Sequence, residues 1–339
     1  MDTSLLHFIL ETVNVQHVPY YYFKDKYALD LLCYALGSRP VKIGQLKKSR
    51  WGFLLRKQAL QRITAKLSDQ WLRQEQLVRY WPSDVCQYFL GLGQWGEYSK
   101  HRNDDWYQTS RPGVNLVLQL NFGVQHNHRY YQWVQPQKDY HPFENDDHPI
   151  AQKGHTLAWV RLDIDLNTGE ALIEEIQNDW LRSVKETVGL STTGLQSWCT
   201  GYDTKTTSNQ LRLYYEQEVR QHEQVWDEAV LAAALWFIKC ELGISRIYYH
   251  TFESGNIMKQ LTYGKPPRSL YTKLPRRFGF ELTSEAPTFL RQDKYLKKTF
   301  KKYKHLKWFV LYLQEYSFLL KMLCVNAMHG ETASTTLVL

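Results

Sequence analysis

The ten residues ALIEEIQNDW (171–180) bring several chemically active side chains together beside an apolar stretch. Glu174 and Glu175 are followed by Gln177 and Asp179, on a segment typical of a β-strand that enters a core. A buried carboxylate without a partner is costly, so few core strands carry so many polar groups. The segment is therefore the strongest candidate for a functional site, and its carboxylates suit acid–base chemistry.

The residues before this segment predict the element that positions it. HTLAWVRLDIDL (155–166) alternates with a period of two, and NTG (167–169) is a hairpin signal. We therefore expect residues 171–177 to return antiparallel to this strand. The hairpin register then decides which side chains meet.

Two registers are compatible with the hairpin. A two-residue loop sets Asp163 opposite Glu174, which places like charges together unless a metal or a shared proton intervenes. A three-residue loop pairs opposite charges, and we favour it for that reason. Its cross-strand pairs are Arg161 with Glu175 and Trp159 with Gln177.

Further candidates come from the second half of the chain. Glu228 starts a strongly apolar helix (225–243), where it either favours the helix dipole or projects towards Glu175 as an acid or base. His250 ends a predicted strand (245–252) and is a candidate for substrate binding. Several histidines also precede the hairpin, but without the spacing of a metal site, so we expect no metal there; they are His126, His128, His141, His148 and His155.

The order of the predicted elements indicates a mixed α/β fold. The hairpin is followed by a polar stretch with loop segments at 190–198 and 203–209, then the apolar helix, a strand, a short helix at 255–261 and a last strand at 276–283. We expect a largely antiparallel sheet with packed helices, preceded by a helical N-terminal region. The predicted regions are 1–110 (basic, mainly helical), 111–290 (α/β core) and 291–339 (basic C-terminal helix and tail).

Four sequence blocks resemble a module of large phage and prophage proteins. They are TLAWVRLDID with ALIEEIQNDW, WDEAVLAAALWFI, IYYHTFESG and SLYTKLPRRFGF, within 155–285. The module's hallmark is a close relative of EEIQSDW, and this chain has Asn178 in place of the serine. The resemblance implies a phage or mobile-element context and a functional role for Asp179 and Trp180.

The same region also resembles the GNAT acyltransferases. The hairpin, the long apolar helix, GISRIYYHT, the Asn-containing helix start and LYTKLPRRFGFE are similar to the family's helix, strand, Asn and Leu-Tyr-x-x-x-Gly-Phe ending. The resemblance implies a GNAT-like sheet, acetyl-CoA as donor, and Asn256 and Tyr271 as ligand-binding residues. The chain lacks the family's Gly-rich phosphate loop between Trp180 and Trp226.

Two other functions remain open on the residues alone. The first is a metal-dependent nuclease. The chain resembles the core of such enzymes in having Asp165 or Asp163 on one strand and Glu175-x-Gln177 on the next. In that core two carboxylates hold Mg²⁺ and the amide orients water. The second is a binding module without catalysis.

Basic residues are concentrated in two segments. Residues 41–80 contain ten basic residues and two acidic ones, and residues 291–308 contain eight and one, in a chain of net charge +8. Clustered positive charge with interleaved aromatics suits a nucleic acid or another acidic partner.

The compartment is predicted from cysteines and hydropathy. Five widely spaced cysteines without a CxxC pair indicate reduced thiols in a cytoplasmic protein. The apolar run 308–325 is interrupted by polar and charged residues, so we expect a buried or partner-binding helix there and no membrane contact.

Overall fold

One mixed β-sheet organises the computed structural model, which describes residues 1–37, 39–96, 108–136, 141–151, 154–192, 207–261 and 266–313. The strands are β1 (Val18–Tyr22), β2 (Val41–Lys42), β3 (Trp71–Leu72), β4 (Cys86–Trp95), β5 (Asn115–Phe122), β6 (Thr156–Asp165), β7 (Glu170–Gln177), β8 (Arg246–His250), β9 (Glu281–Thr283) and β10 (Trp308–Tyr312). Eight of these described strands form the large sheet, in the order β1-β4-β5-β6-β7-β8-β10-β9. The mixed α/β class and the mainly antiparallel sheet are confirmed.

Helices pack against both faces of the sheet. The α-helices are α1 (Thr3–Thr12), α2 (Lys26–Leu36), α3 (Ile43–Lys48), α4 (Gln58–Thr64), α5 (Gln74–Val78), α6 (Val124–Val134), α7 (Trp180–Thr192), α8 (Ser208–Tyr214), α9 (Arg220–Glu223), α10 (Trp226–Trp236), α11 (Phe252–Met258), α12 (Lys273–Arg277), α13 (Thr288–Gln292) and α14 (Lys297–Lys302). Short 3₁₀ or π segments are Gly52–Arg56, Tyr215–Val219, Phe237–Glu241 and Arg268–Tyr271.

The predicted boundary near residue 110 does not separate two folding units. The N-terminal region contains helices α1 to α5, as expected, but it also supplies β1 and β4 to the large sheet. β4 pairs with β5 along its length, from Tyr88 opposite Phe122 to Trp95 opposite Asn115. The boundary therefore falls between two adjacent strands of one sheet.

Helix α10 is the main helix of the core. Its residues from Glu228 to Trp236 are all buried, and it packs on β5, β6 and β7. Ala232 to Ala234 have small side chains, which allow the helix to approach the sheet closely. The helix continues as a π segment and ends at Gly243, whose φ of +70° suits glycine. The predicted apolar helix at 225–243 is confirmed.

Three predicted elements differ from the structure. The last strand, predicted at 276–283, is limited to β9 (Glu281–Thr283), and Arg276 and Arg277 belong to helix α12. Helix α7 extends into the segment 190–198 and helix α8 begins within 203–209, both predicted to be loop; residues 193–206 lie outside the described residues. Residues 308–312, predicted to start a helix, form strand β10 between β8 and β9. The run Trp308–Val310 is buried between these two partners, and such a short apolar run does not distinguish a strand from a helix.

The site lies where the parallel pair of strands separates. β7 and β8 are parallel, whereas the other neighbouring strands of the large sheet are antiparallel. Their pairing runs only from Glu170 opposite Arg246 to Ile173 opposite Tyr249. Residues 174–177 of β7 therefore continue without β8 as a ladder partner.

Within the described part of the chain, no helix has the length and apolar character needed to cross a membrane.

Candidate functional site

The hairpin register matches the favoured prediction at the site, although the loop differs. Arg161 pairs with Glu175, as predicted. Next to the hairpin loop, Asp165 pairs with Glu170, so the loop has four residues, whereas three were predicted. A β-bulge at Glu174 inserts one extra residue and restores the register beyond it. The second predicted pair, Trp159 with Gln177, is also confirmed.

The two adjacent glutamates of β7 have different partners. Glu175 accepts hydrogen bonds from Nη2 of Arg161 and from Nζ of Lys259, at 3.0 Å for the lysine. All three side chains are buried, and Lys259 also donates to the carbonyl oxygen of Glu174 at 3.2 Å. Although burial opposes ionisation, the two cations lower the pKa of Glu175 to about 2.

A carboxylate with this pKa is a poor general base at neutral pH. The predicted acid–base role of Glu175 is therefore not favoured by its surroundings. The carboxylate instead neutralises Arg161 and Lys259, and burial lowers the pKa of Lys259.

Glu174 belongs to a second buried cluster. Its carboxylate accepts from the Ser110 hydroxyl at 2.7 Å and lies 3.2 Å from Nε2 of His250. Burial lowers the pKa of His250, whereas hydrogen bonding and the imidazole lower that of Glu174. Serine, histidine and a carboxylate also form nucleophilic triads. Here all three residues are fully buried, so no ligand reaches them. The predicted roles of Glu174 in catalysis and of His250 in substrate binding do not fit this burial.

Asp179 joins a more accessible group. It accepts from Nε2 of Gln177 at 2.8 Å and from the guanidinium of Arg182 at 2.6 Å. Its other oxygen lies 2.8 Å from Nδ1 of His148 and 3.3 Å from the indole nitrogen of Trp159. These contacts outweigh burial and lower the pKa of Asp179. The Asp179 carboxylate orients His148. The imidazole is also reachable, because 23% of its side chain is exposed.

A cleft opens beside β7 where it separates from β8. We call it the strand-separation cleft; its volume is about 540 Å³. It has charged, amide and apolar walls. Its lining residues are Glu175, Gln177, Asn178, Leu181, Arg182, Lys185, Glu186, Glu223, Trp226, Pro266, Pro267 and Leu270.

The start of helix α7 forms one wall of this cleft. Asn178 caps the helix, because its side-chain oxygen accepts from the backbone N–H of Leu181 at 2.8 Å. Its amide nitrogen is buried and has no hydrogen-bond partner in the described part of the chain. Arg182 and Lys185 extend along the same wall, each with 53% of its side chain exposed. The wall thus offers a helix N-terminus, a buried donor and two cations, which are paired with Asp179 and Glu223.

A second cavity has a volume of about 370 Å³. It lies near His148, as shown by Pro149, the next residue in the sequence, which lines the cavity. Its polar side chains are mainly amides. We call it the amide-lined pocket; its walls include Gln16, Gln94, Gln119, Asn121, Pro149 and Ile150.

Two other predicted site residues lie elsewhere. Glu228 lies in the first turn of α10, as its helix-dipole alternative requires. It does not project towards Glu175, because its carboxylate accepts from the backbone N–H of Asp25 and contacts Lys24 at 3.1 Å. It joins α10 to the N-terminal region. Trp180 is fully buried and donates to the Tyr214 hydroxyl at 3.0 Å, so it anchors the core.

Of the two residues carried over from the acyltransferase resemblance, Tyr271 is next to the cleft wall in the sequence. Tyr271 follows Leu270, a residue of the cleft wall, and Nζ of Lys259 is 5.8 Å from its ring centroid. Its hydroxyl is buried, with no hydrogen-bond partner in the described ranges, and burial raises its pKa well above the ordinary value. Asn256 donates to the carbonyl oxygen of Phe252 at 2.7 Å, within helix α11.

The carboxylates required for the nuclease alternative do not converge. Arg161, which is opposite Glu175, is four residues from Asp165, or about 13 Å along the strand. Asp165 instead contacts Arg111 at 3.5 Å. Asp163 is paired with Arg111 and with the α-amino group of Met1, both at 2.8 Å. A common Mg²⁺ site with Glu175 is therefore not formed by these residues.

His148 is the functional candidate that the sequence did not single out. It was one of several histidines before the hairpin, and its partner Asp179 is 31 residues away. The only local signal was the density of histidines ahead of the carboxylate-rich strand.

Comparisons of the chain with protein-family models, with curated proteins and with solved structures find no match.

Proposed function

We propose that the protein is a GNAT-like acyltransferase that uses an acyl-CoA donor. The observation that carries this proposal is the strand-separation cleft, which combines a helix N-terminus, two cations and an apolar wall. An acyl-CoA has matching parts, since it carries phosphates at one end and an uncharged pantetheine and acyl group at the other.

The phosphates are proposed to bind at the start of α7. The helix dipole favours an anion there, and this wall is proposed to replace the missing Gly-rich loop. The buried amide nitrogen of Asn178 supplies a further donor. Arg182 and Lys185 add charge, while Trp226 and Leu270 provide apolar surface for the rest of the donor.

His148 is the proposed general base. Asp179 holds its Nδ1, which leaves Nε2 to take a proton from the acceptor, as in other carboxylate–histidine pairs. The deprotonated acceptor attacks the thioester carbonyl carbon, and the CoA thiolate leaves. The leaving thiolate takes up a proton from solvent, since the Tyr271 hydroxyl is buried and its pKa is raised well above the ordinary value. The acceptor is proposed to enter through the amide-lined pocket, whose groups recognise polar substrates.

A direct titration tests donor binding. We expect acetyl-CoA to bind with one site per chain and a Kd of about micromolar magnitude in isothermal titration calorimetry. Arg182→Gln and Lys185→Gln are each expected to weaken binding about 10-fold, since each removes a charged contact to phosphate. The matched control is Arg212→Gln, an exposed arginine of α8 that does not line the cleft. Absence of saturable binding, or an equal loss in the control, would contradict the proposal.

A nucleic acid, or a protein bound to one, is the proposed partner. Helix α14 supports this choice, because it has no buried residue and carries exposed lysines. The C-terminal basic segment exposes Arg291, Lys294, Lys297, Lys298, Lys301, Lys302, Lys304 and Lys307. Arg50 of the other basic segment approaches β9 through Glu281, at 3.6 Å.

Salt dependence tests this partner. We expect duplex or single-stranded DNA or RNA to bind with an affinity that falls steeply with salt. Replacing all four lysines of α14 by glutamine should lower both the affinity and the slope of log K against log salt, by up to about 4 for duplex DNA. An unchanged slope, measured by fluorescence anisotropy, would exclude α14 from the interface.

A further inference from the structure

Two imidazoles and a carboxylate converge beside the start of β6. His141 and Glu144 come from one segment (141–151), and His155 directly precedes the strand. One ligand atom from each of the three lies within 4.8 Å of the other two. Nδ1 of His155 is 2.7 Å from Oε1 of Glu144, and the two imidazole centroids are 4.5 Å apart.

The surroundings of this cluster are mainly aromatic. The Tyr130 ring contacts His155 edge-to-face at 4.7 Å, and the ring of Trp180 lies 5.0 Å from the same imidazole. The Tyr130 hydroxyl is 3.3 Å from Nδ1 of His141. Only 4% of the His155 side chain and 10% of the Glu144 side chain are exposed. Aromatic walls exclude water, and a ligating imidazole is oriented when its other ring N–H donates to an outer residue.

We propose that His141, Glu144 and His155 bind a zinc ion. Two histidines and one glutamate form a known ligand set for Zn²⁺, with a fourth position left for water or substrate. Imidazole ligands select against Mg²⁺ and Ca²⁺, which prefer oxygen. In a tetrahedral site with bonds of about 2.0 to 2.1 Å, neighbouring ligand atoms are about 3.3 Å apart. The His155–Glu144 contact thus needs to widen by about 0.6 Å, with zinc taking the place of the shared proton.

The proposed zinc would fix the segment that carries His148. Its ligands His141 and Glu144 precede His148 by seven and four residues, and His155 continues into β6. Zinc would therefore clamp this segment to the sheet and hold His148 against Asp179. This second role rests on the proposed function, whereas metal binding itself does not.

Metal titration of the full chain tests the site. We expect one equivalent of Co²⁺ to give the visible absorption of a tetrahedral complex, and one equivalent of Zn²⁺ to displace it. His141→Asn and Glu144→Gln should each lower the zinc affinity at least about 100-fold, because each removes a direct ligand. Saturating zinc should also raise the melting temperature of the wild type by about 3 to 5 °C.

The matched control is His128→Asn, since this histidine is exposed on α6 and is not part of the cluster. The control should retain wild-type zinc affinity, and the circular dichroism of every variant should stay that of the wild type. Absence of a stoichiometric Co²⁺ complex in the wild type would overturn the proposal. So would zinc affinities in His141→Asn and Glu144→Gln equal to that of His128→Asn. Neither measurement uses acetyl-CoA, so failure of the zinc site is distinguishable from failure of acyl transfer.

Discussion

Glu175→Gln is expected to lower the free energy of unfolding by about 3 to 5 kcal/mol, because it leaves two buried cations without their common anion. Arg161 is fully buried, and Lys259 is 4% exposed. Both contact the Glu175 carboxylate directly. Water therefore cannot replace the Glu175 carboxylate as a partner of either cation. Chemical denaturation of the wild type and the variant measures the difference.

Removal of one cation provides the internal test of this explanation. Lys259→Met in the Glu175→Gln background should recover part of the lost stability, since an uncharged pair leaves less unbalanced charge in the core. The control is Glu281→Gln, which removes an exposed carboxylate 3.6 Å from Arg50 and should change stability by less than about 0.5 kcal/mol. If Glu175→Gln lowered the free energy of unfolding by as little as this control, the buried charges would not be what stabilises the hairpin.

The pH dependence of stability follows from the same contacts. The pKa of Glu175 is lowered to about 2 in the folded protein, from an ordinary value near 4.5. Its contribution is therefore fully present above about pH 4.5 and is lost as the pH falls from there towards 2. The loss amounts to about 3 kcal/mol. In Glu175→Gln this part of the acid destabilisation should be absent.

The second large effect is expected on turnover. His148→Asn should reduce kcat for acyl transfer from acetyl-CoA by about 10² to 10⁴-fold, because the proposed general base is lost. The KM for acetyl-CoA should change little, since His148 does not line the strand-separation cleft. Release of CoA thiol, with water and small primary amines as acceptors, measures both constants.

A cavity variant separates catalysis from structure. His148→Gly leaves space for a small base, so added imidazole should restore part of the rate without changing the folded fraction. Asp179→Asn should also lower kcat, because it removes the acceptor that orients the imidazole. Thiol release by His148→Asn at the wild-type rate would rule out His148 as the base.

The sequence predicted the hairpin well because charge pairing constrains its register. Opposite charges at Arg161 and Glu175 distinguished the two alignments, and the structure has the pair. The bulge at Glu174 was not predictable from the alternation of residues, since it depends on the details of the hydrogen-bond ladder. The two adjacent glutamates enter separate clusters.

Other errors arose from tertiary packing. The apolar helix at 225–243 was predicted from composition, but its rotation about its own axis was not, and that rotation directs Glu228 to Lys24. His148 and Asp179 are far apart in sequence, so only the fold brings them together. The run that starts at Trp308 suited a helix or a strand equally, and its neighbours β8 and β9 decided the outcome.

The insertion of β10 between β8 and β9 sets an order for folding. β9 pairs with β10 in the sheet, so Glu281–Thr283 cannot join it until Trp308–Tyr312 have arrived. Until then the outer edge of β8, with its row of backbone donors and acceptors, stays open. During synthesis on the ribosome such an edge is a template for pairing with other chains. A nascent chain paused before Trp308 would thus be a state that chaperones need to protect.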